Sequence, residues 1–235
     1  MSKPNYVSLN VAGGMMDAYL SQPAGEGKFP AIILLQEAFG VNHHIRNMAD
    51  RLAKEGYFVI APELFHRTAP PGFETGYTDF SLVKGHFEAL TTETFAEDLQ
   101  ATYSWLQQNE KINKNKIGSI GFCLGGRASL LANILLPVAA SVSYYGGRST
   151  VLVDRVKDMH APHLFFWGGL DKNIPQEQVD TVINAVKAAG KEYINVVMSA
   201  ADHGFNCDER ASYNEQAAKD AWALTINFFA QRLKV

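Results

Sequence analysis

Gly121-Phe122-Cys123-Leu124-Gly125-Gly126 is the stretch that decides the fold of this chain. An apolar run at 116–121 precedes it, and an apolar helical pattern at 124–135 follows. A strand therefore turns directly into a helix with a cysteine at the apex, in the spacing Gly-x-nucleophile-x-Gly. The glycines have a steric reason. An apical residue in so sharp a turn is strained, and side chains two positions either side would collide with neighbouring backbone. Such a turn lifts the sulfur clear of the sheet and sets it at a helix N-terminus, where backbone N–H groups and the helix dipole favour the thiolate form. The Leu124 N–H would point toward an oxyanion formed on a substrate. A buried structural cysteine with glycines for close packing is the competing reading of these residues. A dinucleotide loop fits less well, because the glycines do not match G-x-G-x-x-G.

Working outward, short apolar runs alternate with longer helical patterns, as βαβ units of a mostly parallel sheet require. Residues 6–9 and 16–20 read as antiparallel strands. Residues 30–35 and 57–61 read as strands covered on both faces, with a helix at 45–55 between them. Residues 62–92, rich in proline, glycine and aromatics, are long for a connection and read as a lid or pocket wall. A helix at 94–107, the elbow strand, strands at 139–145, 163–167 and 193–198, and helices at 176–188 and 209–233 complete a three-layer α/β sandwich. About eight strands are expected, with helices on both faces, in a single domain over 1–235.

The 235 residues include 24 acidic and 21 basic side chains, for a net charge of −3. A basic surplus for nucleic acid is missing. No long uncharged apolar window suggests a membrane span. The first residues lack the apolar core of a signal peptide, and 2 cysteines cannot build a disulfide framework. A cytoplasmic protein with a small-molecule substrate is expected, with no nucleic-acid or membrane partner. No metal-ligand spacing occurs, so neither metal nor cofactor is implied.

A thiol nucleophile needs a base, and the base an orienting acid. Of 7 histidines, His203 is the one after the last expected strand, in Ala200-Ala-Asp-His-Gly-Phe205. Asp171, just beyond the strand at 163–167, is the expected acid, with Asp202 and Asp208 as alternatives and helix capping as its structural reading. Loops at the carboxyl ends of parallel strands open on one crevice, so these three residues can converge. The loop Gln36-Glu37-Ala38-Phe39-Gly40 should open there too, Ala38 offering a second oxyanion N–H. Glu37 next to the thiol can hydrogen-bond a neutral S–H and hold back the thiolate until substrate arrives.

These four motifs, 121–126, 36–40, 168–171 and 202–205, look like those of dienelactone hydrolase family proteins, in the same order and over nearly the whole chain. The resemblance implies an α/β-hydrolase fold and a Cys123–His203–Asp171 triad that opens lactones or esters, with Glu37 as the resting partner of the thiol. It also implies arginines for a substrate carboxylate, one in the lid stretch and one shortly after the histidine. This chain departs there: Cys207 stands four residues after His203. Arg67 and Lys84 in the lid and Arg210 beyond Cys207 are the candidate anchors. Tyr145 resembles a pocket-lining strand end, whereas Tyr144 reads equally well as a packing residue. The rival readings are a thiol or redox sensor built on Cys123 and Cys207, and a small-molecule binder without turnover.

Overall fold

The computed structural model describes residues 5–235. Eight strands form one sheet in the order β1-β2-β4-β3-β5-β6-β7-β8. These are β1 (Tyr6–Val11), β2 (Gly14–Ser21), β3 (Phe29–Leu35), β4 (Phe58–Pro62), β5 (Ile112–Phe122), β6 (Ala140–Tyr144), β7 (His163–Gly168) and β8 (Tyr193–Met198). β1 pairs antiparallel with β2, and β2 antiparallel with β4. The rest of the sheet is parallel. β3 to β6 show why: Ile32, Ile33, Leu34, Ile120 and Val142 are all 0% exposed, so these strands need a layer on either side.

Helices α1 (His43–Lys54), α2 (Ser81–Glu88), α3 (Thr92–Gln108), α4 (Leu124–Leu135), α5 (Gln176–Ala188) and α6 (Glu215–Leu233) supply those layers, with a 3₁₀ helix at Ser149–Asp158. Two adjacent residues of β5 fix the sides. Gly118 abuts Phe229 and Leu233 of α6. Ser119 faces the other way and shares a 2.8 Å hydrogen bond with Ser129 of α4. α1 lies with α6, Arg51 stacking 4.1 Å over the Trp222 ring.

Several boundaries have local causes. The Asn42 side chain caps α1 by accepting from the Ile45 N–H. Thr91 and Thr94 cap α3 reciprocally. The final helix corrects the sequence reading: it begins at Glu215, six residues late, with Asn214 as its cap. Residues 204–213 run instead as successive turns, with the N–H of Cys207, Arg210 and Tyr213 bonding to Gly204, Cys207 and Arg210 carbonyls. The 62–92 stretch is long and irregular as expected, with α2 as its helix. The 3₁₀ helix after β6 was not anticipated. Among the described residues, no helix is long and apolar enough to cross a membrane.

The chain runs from β3 out to β4, then crosses back to β5 on the other side of β3. That reversal opens a crevice beyond the carboxyl ends of β3 and β5. The loop 36–40 and the elbow flank it, because Leu35 and Gly121 are direct partners in the sheet.

Candidate active site

Cys123 sits at φ 53° and ψ −111°, outside the regions a side chain ordinarily prefers. The fold enforces this. The Cys123 N–H donates to the Tyr144 carbonyl at 3.0 Å, and its own carbonyl accepts from Gly126. Gly121 and Gly125 allow the tight approach: a Cβ on Gly121 would overlap the Gly125 carbonyl, and one on Gly125 would overlap the Leu35 carbonyl. The sulfur is part-exposed at the mouth of a cavity of about 550 Å³, which His203, Leu124 and Ala38 also line.

His203 Nδ1 lies 2.7 Å from Asp171 Oδ2, with both side chains nearly buried. Cys123 lies close enough to the ring for its charge to act on it, and both line the same cavity. Asp171 also does the capping work that its structural reading assigned: Oδ1 accepts from the N–H of Asn173 and Ile174. Two oxygens serve two roles, and the backbone donors lock the carboxylate's orientation. Asp202 instead accepts from the His203 backbone N–H, and Asp208 lies beside His44. Of the three candidate acids, Asp171 is the one on the imidazole. Burial works against the imidazolium, yet negative charge on Cys123 and the Asp171 hydrogen bond outweigh it and push His203 up to about 10.

Ala38 and Leu124 come from adjacent strand ends, and neither backbone N–H is engaged by another group among the described residues. Gln36 braces this loop, its Oε1 accepting from Leu64 N–H and its Nε2 donating to the Glu37 carbonyl.

Glu37 departs from the sequence expectation. It is 0% exposed, and Oε1 meets Arg210 Nη1 at 3.4 Å, while Oε2 has no hydrogen-bond partner. Its partner here is the guanidinium rather than the thiol. Gly204, at φ 77°, makes room: a Cβ there would lie 2.6 Å from the guanidinium carbon. Although burial opposes its charge, Glu37 holds Arg210 protonated. Arg210 lines the cavity, as expected of an anchor.

The other pocket expectations are corrected. Arg67 turns away to α3, paired with Asp98 at 2.9 Å and Glu97 at 2.8 Å. Lys84 is exposed and pairs with Glu88 one turn along α2. Tyr145 is fully buried beneath the imidazole, ring centroids 5.1 Å apart, and supports His203 instead of lining the cavity. Two cavity arginines escaped the sequence reading, Arg127 and Arg148. Arg127 follows Cys123 by one helical turn and Arg148 follows a strand end, so position alone could have found both.

Cys207 is 0% exposed; burial and then the charge of Glu37 push its thiol up to about 12. A thiol so reluctant to ionise makes a poor redox partner for Cys123. His44, Cys207 and Asp208 bring three ligating atoms within 4.8 Å of one another. Burial favours the neutral imidazole of His44, the form that ligates a metal, but it also keeps the Cys207 thiol protonated, and ligation would need that thiol deprotonated. The group reads as a polar cluster behind the site.

Residues 16–233 match the dienelactone hydrolase family model. A "Putative carboxymethylenebutenolidase" of Synechocystis is 35% identical over 237 residues, spanning 97% of this chain and 94% of that protein. A protein of the same name from Salmonella typhimurium is 37% identical, over 95% of this chain and 86% of its own length. The crystal structure of a "Putative Dienelactone Hydrolase" from Klebsiella pneumoniae superposes with a TM-score of 0.87 at 36% identity, covering 96% of this chain and 97% of that one. With a mixed eight-stranded sheet of the α/β-hydrolase type and a match over nearly its full length, this chain belongs to the dienelactone hydrolase family.

Proposed function

We propose that this hydrolase opens a lactone or activated ester through a cysteine nucleophile and an acyl-enzyme. The observation that carries the reading is the imidazole of His203, held between Cys123 and the buried Asp171 at the mouth of the cavity. The thiolate of Cys123 attacks the carbonyl carbon. The oxygen that becomes negative is received by the N–H groups of Leu124 and Ala38, which are preorganised and otherwise unoccupied. The imidazolium gives its proton to the leaving alkoxide or enolate. His203 then takes a proton from water, whose oxygen attacks the thioester and releases the acid and the thiol. In a lactone, alcohol and acid leave as one molecule. A thiol nucleophile suits enol esters and strained lactones, whose leaving groups need little acid assistance. The carboxymethylenebutenolidase names of the relatives agree with that class. We place the reaction in the cytoplasm, where both free cysteines stay reduced. We further read residues 1–235 as one domain in which 62–92 supplies a pocket wall, since Phe80, Phe87 and Glu88 border the cavity.

The test is hydrolysis of 4-nitrophenyl acetate by wild type, Cys123→Ala and His203→Ala, with mass spectrometry of the intact protein. Cys123→Ala should lose turnover, and His203→Ala should accumulate an acetyl adduct on the peptide carrying Cys123. Hydrolysis surviving in folded Cys123→Ala would sink the assignment.

A further inference from the structure

Three arginines line the cavity: Arg127, Arg148 and Arg210. Their charges are not equally balanced. Arg210 meets the buried carboxylate of Glu37, so that pair is close to neutral. Among the described residues, neither Arg127 nor Arg148 has a hydrogen bond or salt bridge through its guanidinium. Each only overhangs a ring, Arg127 over Phe95 at 5.4 Å and Arg148 over Phe87 at 5.2 Å. The one carboxylate on the cavity wall, Glu88, is exposed and has Lys84 as its ionic partner.

The two guanidiniums also feel each other. Burial and then the charge of Arg148 lower the pKa of Arg127, with Cys123 acting in the opposite sense. Two like charges held together in a part-buried wall are a standing electrostatic disadvantage unless an anion joins them. The fold fixes where both arginines leave the backbone. Arg127 lies one turn along α4 from Cys123 and packs on α3 through Phe95. Arg148 is held at φ 60°, a left-handed conformation uncommon for a residue with a side chain, where the chain leaves β6 for the 3₁₀ helix. The N-terminus of α4 adds a further positive end to the same wall.

We propose that Arg127 and Arg148 form an anion subsite beside the nucleophile, which selects esters or lactones whose acyl part ends in a multiply charged group, either a phosphate monoester or paired carboxylates. Forked guanidiniums on adjacent elements offer two parallel donor pairs, which suits such oxygens better than a single carboxylate. The subsite stands apart from the Glu37–Arg210 pair. It deepens the ester chemistry proposed above, but its binding arm does not depend on that chemistry.

Two measurements test it. In the first, kcat/KM is compared for 4-nitrophenyl acetate and the mono-4-nitrophenyl ester of tricarballylic acid, which keeps two free carboxylates, in wild type, Arg148→Met and Arg148→Lys. The preference for the anionic ester should fall about 10- to 100-fold in Arg148→Met and recover in part in Arg148→Lys. In the second, inorganic phosphate and citrate are titrated calorimetrically into folded Cys123→Ala, alone and combined with Arg148→Met. Phosphate binding that Arg148→Met removes identifies a phosphate ester; citrate binding removed in the same way identifies paired carboxylates. Binding of neither anion, or binding and ester preference that Arg148→Met leaves within twofold, overturns the subsite. Turnover of neither ester with anion binding intact would discredit the hydrolytic reading and leave the subsite standing.

Discussion

Replacing Asp171 by Asn separates orientation from charge at the imidazole. The Asp171 side chain is 1% exposed and that of His203 11% exposed, so water cannot stand in for their 2.7 Å contact. A hydrogen bond to a charged partner in such a place contributes roughly 2–3 kcal/mol. At about 1.4 kcal/mol per tenfold, its loss alone slows the reaction some 30- to 150-fold. The substitution does more than remove charge. The N–H groups of Asn173 and Ile174 both donate to Oδ1, so the Asn carbonyl must stay there and its NH₂ must face His203 Nδ1. The neutral ring must then accept at Nδ1 and carry its proton on Nε2, toward the sulfur, where it cannot act as base. With the wrong tautomer imposed, the combined loss is on the order of 10³-fold. Because Asp171 helps raise His203 to about 10, its removal should also bring the alkaline limb of kcat/KM down toward neutral pH. The sign for stability follows. An imidazolium with a raised pKa contributes fully below about 6.5, and that contribution disappears as pH climbs to about 10. The assay is a pH–rate profile with 4-nitrophenyl acetate from pH 5 to 10.5, with circular dichroism to verify folding. A folded variant within fivefold of wild type, with an unmoved alkaline limb, refutes the orienting role.

Gly125→Ala would force a Cβ into the Leu35 carbonyl, so a drop of at least 3 kcal/mol in chemical denaturation, or insoluble protein, is expected. His163 sits fully buried between Ser143 Oγ at 2.8 Å and Asn133 Nδ2 at 3.2 Å, and burial pushes it down to about 3. Its unfolded form protonates first, so stability should fall as pH drops below about 6.5, by up to about 1.4 kcal/mol per unit. In His163→Gln the acid limb between pH 6 and 4 should flatten in urea titrations; an unchanged slope would assign acid lability to other groups. Arg67→Met leaves the buried Asp98 with His66 as its remaining ionic partner. It should lower stability by about 2 kcal/mol while leaving KM within twofold; a selective rise in KM for carboxylate-bearing esters would return Arg67 to the substrate site.

The buried polar groups behind Cys123 show how the fold tunes the crevice. Glu37, fully enclosed, raises the pKa of Cys207 after burial itself, and adds to the burial that raises Tyr77 and Tyr145. The phenols and the second thiol therefore stay neutral. Of these thiols and phenols, Cys123 is the one that lines the cavity among the described residues.

Much of the architecture was written in local pattern. Pro30 to Leu35 is apolar at every position because both faces of a central parallel strand are covered, and the helix Gln176–Ala188 carries Glu177 in its first turn, Lys187 in its last and Gly190 just beyond. The elbow was equally legible, since only glycine tolerates the backbone approaches that turn demands. The order of residues along the chain, combined with the rule that strand ends share a crevice, was enough to bring Cys123 and His203 together and to leave Asp171 beside Asp202 and Asp208 as candidate acids; packing set Asp171 on the imidazole. What lay beyond local pattern was the partner each charge would choose. Arg67 went to Asp98 and Glu97, Arg210 took Glu37, and Arg127 and Arg148 were left facing the cavity. The final helix began late for a related reason, since turns from Gly204 onward carry Arg210 back to Glu37. Periodicity and steric limits act within a few residues and can be read from them. A long, flexible guanidinium finds its carboxylate only after distant segments have packed, so which arginines pair with carboxylates and which are left facing the cavity was decided by tertiary structure.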